Sequence, residues 1–165
     1  MKNALFLAAL SLGLSACTVT VRPGAAVVVP ARQANLIQNF QPVRGEGSTY
    51  FVGESVQLRL TTRTAGYVTL VSLDPDGYGD VLARGVYVGA GTTVFPRAED
   101  RVTYDIRPPR GLQRVRAIFT SVRPTNTIVF SGRYGENEFR TYTDAYVRPY
   151  DAGQRDVFET FFYIR

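Results

Sequence analysis

From residue 55 onward the chain reads as short runs of alternating apolar and polar positions separated by Gly- and Pro-bearing turns. Over residues 55–60, Val56, Leu58 and Leu60 alternate with Ser55, Gln57 and Arg59, the period of two that marks a strand with one buried face. Ala65-Gly66 marks a turn, and residues 67–73 are nearly apolar throughout, which predicts a central strand buried on both faces. Asp74-Pro75-Asp76-Gly77 is a turn, because Pro presets one dihedral and Gly accepts a positive one. Residues 81–83 then return as the hairpin partner. Further strands are predicted over 86–88, 93–95, 101–106, 114–120 and 128–130. Val102, Tyr104 and Ile106 face inward in the third of these, and Val115, Ala117 and Phe119 in the fourth. Pro108-Pro109-Arg110-Gly111 separates those two strands.

One segment departs from the period of two. Phe139, Tyr142, Tyr146 and Val147 fall at helical spacing, which predicts a short helix over 137–147. An aromatic-rich strand over 156–164 follows. Ahead of the alternating region, Leu36, Ile37 and Phe40 are expected to tuck against the domain. Residues 18–30, with two β-branched runs bounded by Pro23 and Pro30, read either as an edge strand or as an extended tether. Seven to nine short strands predict an all-β fold, an antiparallel β-sandwich of immunoglobulin-like architecture with one short helix near the C-terminal end.

Composition narrows the chemistry. The 165 residues contain no histidine, no tryptophan and one cysteine, so zinc, copper, haem and iron–sulfur sites lose their usual ligands. Ser-His-Asp and Cys-His mechanisms lose their base. Nineteen basic residues, all arginine except Lys2, stand against fourteen acids, for a net charge of +5. Such a surplus suits acidic polymers, anionic headgroups or an acidic partner, although the interspersed signs equally describe a solvated surface of Arg–carboxylate pairs.

The single cysteine sits where it changes the setting of everything after it. An apolar run over 4–14 follows Lys2 and ends in Leu14-Ser15-Ala16-Cys17. The run is short for a membrane span and has the build of a secretory signal, and its ending resembles the lipobox of bacterial lipoproteins. The resemblance implies a signal peptide over 1–16 and lipidation at Cys17, and the length that follows suits a single domain over 35–165, joined through residues 17–34. Each buried methylene contributes about 0.8 kcal/mol, so two or more acyl chains anchor stably where one does not. Thr18 is not the aspartate that in some bacteria retains lipoproteins in the inner membrane, which favours the outer membrane or cell surface. Nucleic acid is not expected as a partner there.

A second resemblance lies in the domain itself. Tyr50-Phe51-Val52-Gly53-Glu54, Gly66-Tyr67-Val68-Thr69-Leu70 leading into Asp74-Pro75-Asp76-Gly77, Pro108-Pro109-Arg110-Gly111, and residues 115–120 resemble the bacterial domain-of-unknown-function family 4384 across about residues 35–125. That family has no established activity, and its domains occur on envelope proteins or beside catalytic ones. The resemblance implies an accessory or interaction module, with another envelope or surface-layer protein as the expected partner, and supplies no catalytic residues.

Four constellations remain open. Asp74, Asp76 and Asp80, with Gly77 and Gly79 between them, partly match a calcium loop, in which alternating carboxylates surround a glycine-enforced bend. Tyr78 and Gly85 stand where oxygen ligands would be needed, so an acidic hairpin turn fits equally. Beyond that calcium possibility no cofactor is expected. Arg107, Arg110, Arg114 and Arg116 form a fork-rich set able to grip carboxylate or phosphate, or to pair with Glu99, Asp100 or Asp105. Tyr78, Tyr87, Tyr134, Tyr142, Tyr146 and Tyr150 could present a surface for cell-wall glycan or protein, or roof the core. Glu54 with Asp105, or Glu136 with Glu138, would have to meet across a cleft to act as a hydrolase pair. The expected protein is not an enzyme.

Overall fold

The structure, a computed structural model, describes residues 34–165. The expectations for residues 1–33, including the tether or edge strand and the lipidation site at Cys17, lie outside the described residues.

Among the described residues, nine strands and one α-helix follow in the order β1 (Ile37–Pro42), β2 (Thr49–Tyr50), β3 (Leu58–Thr62), β4 (Gly66–Leu73), β5 (Tyr78–Val88), β6 (Gly91–Phe95), β7 (Gly111–Thr120), β8 (Gly132–Arg133), α1 (Glu136–Val147) and β9 (Arg155–Ile164). They form a three-stranded sheet, β1-β3-β6, and a six-stranded sheet, β2-β9-β7-β4-β5-β8. Every pairing is antiparallel except β2 with β9. The large sheet ends on two-residue strands at both edges, β2 and β8, each pairing with only two residues of its longer neighbour, β9 or β5.

Two cores explain the sequence pattern. Between the sheets, Phe40, Leu58, Leu60 and Phe95 from the small sheet meet Val68, Leu70, Val115, Phe119 and Phe162 from the large one. On the other face of the large sheet, Val71, Leu73 and Ile118 pack under Phe130, Phe139, Tyr146 and Val147. Strands β4 and β7 are therefore covered on both sides, as the nearly unbroken apolar run over 67–73 predicts. In α1 the buried positions Phe139, Thr143, Tyr146 and Val147 form one stripe. Glu136 and Glu138 occupy its first turn, where acids complement the helix dipole. Tyr142, expected on the stripe, lies at its exposed flank and packs on Tyr134 with ring centroids 5.0 Å apart.

Three expectations are corrected. The runs over 81–83 and 86–88 belong to one strand, β5, whose register against β4 slips twice. The bulge near Gly85, at φ +58°, breaks the alternation and makes one strand read as two. Residues 101–106 are not a strand. They carry one isolated bridge, Ser55 with Asp105, and although Tyr104 and Ile106 are buried, Val102 is 53% exposed. Residues 128–130 are not a strand either. The Ile128 carbonyl accepts from Arg84 Nη2 at 3.0 Å, and Phe130 is driven into the core under α1. A further strand, β1, forms where only three apolar contacts were expected. The buried Asp156 secures it, accepting the Ile37 N–H at 2.9 Å and so joining β9 to the small sheet.

Candidate functional site

The small sheet does not cover the whole inward face of the large one. At the end marked by the β4–β5 hairpin, residues 103–108 take its place, tied by the Val56 N–H to the Tyr104 carbonyl at 2.9 Å and the Ile106 N–H to the Glu54 carbonyl at 2.7 Å. Between this segment and β4, β5 and β7 opens a cleft of about 400 Å³, within the range of small-ligand sites. Its apolar floor includes Val56, Val115, Phe162 and Ile164, and its polar groups include Asp74, Asp80, Asp105, Ser72, Gln113 and Arg107.

Register explains why polar side chains converge there. Ser72 pairs with Asp80 on one side and Val115 on the other, and residues directly opposite in a ladder share a face. Since Val68 and Leu70 lie in the core between the sheets, Ser72 faces the same way. Gln113 stands two residues before Val115 on the same face of β7. Its Nε2 donates to Asp74 Oδ1 at 2.7 Å. Burial raises the Asp74 carboxyl above its ordinary pKa, the Gln113 bond pulls against that, and the like charges of Asp76 and Asp80 add to the rise. Asp105 is lowered, chiefly by the hydrogen bond from Ser55, with a further one from Thr103. Burial pushes the Tyr104 phenol up to about 12, so it stays protonated and donates to the Leu82 carbonyl at 3.2 Å.

The predicted constellations divide among several partners, although Asp74 and Asp80 line the same cleft. Of the calcium-loop residues, Asp74 is bonded to Gln113 and Asp76 Oδ2 lies 3.2 Å from Arg133. Asp80 Oδ1 accepts the Val81 N–H at 2.7 Å. Among the described residues no three acidic or sulfur- or imidazole-bearing side chains are grouped to share a metal ion. The turn itself forms as expected, with the Gly77 N–H bonded to the Asp74 carbonyl at 2.9 Å and Gly77 at φ +82°.

The four arginines divide among three environments. Arg107 borders the end cleft. Arg110 and Arg114 border a second groove of about 390 Å³ on the far side of the hairpin, with Tyr134 and Glu136. Arg116 is 6% exposed, held between β7 and α1 by Glu159, by Thr143 Oγ1 at 3.1 Å and by the Phe139 ring 4.7 Å away. Arg114 pairs with Glu159 at 3.0 Å and Glu136 at 3.4 Å, which were not among its expected partners, whereas the nearby charge of Arg107 helps to lower the expected Asp105.

The acids of the two predicted pairs have partners of their own. Glu54 is clamped by Arg44 through two 3.0 Å bonds, which hold its carboxyl below the usual range. Glu136 faces Arg114, and Glu138 is exposed two residues along the helix. Of the six tyrosines, Tyr78, Tyr87 and Tyr142 are exposed, whereas Tyr146 is buried with its hydroxyl 2.9 Å from Thr69 Oγ1. The end cleft was missed because Ser72 and Gln113 give no motif. The available signal was their position in the ladder, two residues from core positions of the same face.

These features define a two-sheet β-sandwich with a helix on its outer face and a cleft open at one end. Residues 49–123, from β2 through β7, match the family model described as Domain of unknown function (DUF4384). No curated protein and no solved structure matches the chain.

Proposed function

We propose that this is a lipid-anchored, non-enzymatic envelope protein whose β-sandwich serves as an interaction or accessory module for a membrane or surface-layer assembly. The observation that carries the reading is Leu14-Ser15-Ala16-Cys17 after an apolar run, because a lipidated cysteine holds a small domain at a membrane surface. The domain's own chemistry supports the second half. Two of the acids considered for a hydrolase pair, Glu54 and Glu136, are each engaged by an arginine, Arg44 and Arg114, while the end cleft offers a concave, part-apolar surface suited to recognition.

Two measurements test the reading. Cys17→Ser should move the protein from the membrane fraction to the soluble exported fraction, and retention in the membrane would remove the anchor. Affinity capture after gentle detergent extraction should bring a stoichiometric envelope protein with it, and recovery of a bare lipidated monomer under several mild conditions would overturn the accessory role.

A further inference from the structure

The end cleft carries a charge opposite to that of the chain. Against a net charge of +5, its lining holds Asp74, Asp80 and Asp105 with Arg107 as its one cationic side chain. The site is also built from buried groups. Ser72, 4% exposed, lines the cleft together with Asp80. Gln113, 7% exposed, spends its amide N–H on Asp74 and so fixes that carboxylate at the rim of the apolar floor. Burying polar groups next to Val115 and Phe162 costs free energy unless partners satisfy them, and Gln113 and Asp74 satisfy one another at 2.7 Å.

The chemistry of a matching ligand follows. The acids are dispersed, and no three metal-ligating side chains are grouped to share an ion among the described residues, so a compact metal ion is a poor match. A cation whose N–H donors spread over several ångströms, continuing into an apolar stem, meets both the acidic rim and the apolar floor. We propose that the cleft binds an organic cation, an ammonium or guanidinium group on an apolar stem, with Asp80 and Asp105 taking the charge and Val115 and Phe162 taking the stem. This rests on the reading of the domain as a binding module. The same chemistry is offered by a free amine and by a lysine or arginine side chain of a partner polypeptide.

The test uses the full chain in detergent, with agmatine and a short arginine-containing peptide as probes and titration calorimetry as the readout. Both probes should bind, while a neutral alkyl urea and an alkyl carboxylate of matched length should not. Asp80→Asn and Asp105→Asn should each weaken binding about tenfold, the loss of one charge-assisted hydrogen bond. Arg107→Gln should strengthen it. Since each Asn substitution is nearly isosteric, an unchanged melting temperature in the absence of probe shows that the fold is intact. Binding of the peptide without agmatine assigns the cation to a polypeptide, and binding of both equally assigns it to the cationic group itself. Failure of both probes, equal binding of the neutral or anionic analogues, or affinities unmoved by both Asp substitutions would overturn the proposal. A partner captured equally by wild type and the Asp80→Asn/Asp105→Asn variant leaves the interaction module standing and removes the cleft from it. Probe binding without any captured partner does the reverse.

Discussion

Glu159→Leu isolates a charge inside the fold, and its cost can be worked from the surroundings of Arg116. The guanidinium lies between the large sheet and α1, 6% exposed. Its anionic partner is Glu159, with Thr143 Oγ1 at 3.1 Å as a neutral acceptor and the Phe139 ring beneath it. Breaking a buried ion pair from one side costs about 3–5 kcal/mol, because the remaining charge stays desolvated. The Glu159 side chain is 30% exposed, so water can enter and the expected cost falls to roughly 2–4 kcal/mol. For a domain of this size that lowers Tm by on the order of 10 °C. Arg116→Met is expected to behave differently. It keeps an apolar stem over Phe139 and leaves Glu159 paired with Arg114 at 3.0 Å, so its cost should be no more than about 2 kcal/mol. The double variant should recover most of the Glu159→Leu loss. Urea denaturation followed by circular dichroism measures all three. If Arg116→Met is as damaging as Glu159→Leu, or the double variant is no better than Glu159→Leu, desolvation of the isolated guanidinium is not the controlling effect.

Asp74→Asn should stabilise the protein near neutral pH. The folded-state pKa of Asp74 is raised by burial and like charge, so the folded state holds this proton more tightly than the unfolded chain, and stability falls as pH climbs from the unfolded value of about 3.9 through the raised one. Asparagine keeps an acceptor for Gln113 without the charge. Its gain in Tm should be present at about pH 7 and vanish near pH 3, and equal gains at both would show that charge is not the cause. Gly66→Ala should cost roughly 1–3 kcal/mol, since a Cβ there would overlap the Phe119 ring and stand 2.8 Å from the Thr120 carbonyl. Gly89→Ala, with nothing within 4 Å of its Cβ, should stay within about 0.5 kcal/mol. Comparable unfolding midpoints for the two glycine variants would refute the packing argument.

The elements legible in the sequence were those whose burial imposes a regular period. Strand β3 has one inward face and shows it in Leu58 and Leu60, with Val56 buried just ahead of it. The two-sided burial of β4 shows as a continuous apolar run, and α1 shows as Phe139, Tyr146 and Val147 at helical spacing. Strand β5 was divided because its bulges move side chains out of alternation, and only pairing with β4 reveals that it is one strand. Residues 101–106 alternate because Tyr104 and Ile106 close the end of the core, which requires burial but no ladder. Arg116 and Glu159 are 43 residues apart, and nothing in the sequence ties them until β7 and β9 are set side by side. The candidate site was legible only in its turn. Asp74 and Asp80 were found, but their companions Ser72, Gln113 and Asp105 come from separate strands and a loop.

The position of the end cleft follows from how the two sheets differ in extent. Inward positions of β4, β5 and β7 are apolar wherever the small sheet covers them, as at Val68, Leu70, Ala117 and Phe119. They turn polar at Ser72, Asp80 and Gln113, where residues 103–108 are the cover. Solvation of a sandwich end would account for that change if the polar groups reached water freely, as Asp80 does. It does not account for Gln113 and Ser72, which are nearly as buried as the core, or for a carboxyl at Asp74 kept where burial raises its pKa. A fold optimised only for stability would place an amide or an apolar side chain at residue 74, so retaining the acid trades stability for a charge held at the edge of an apolar floor. That trade is expected of a recognition site, and the stabilisation predicted for Asp74→Asn and the affinity losses predicted for Asp80→Asn and Asp105→Asn test its two sides independently.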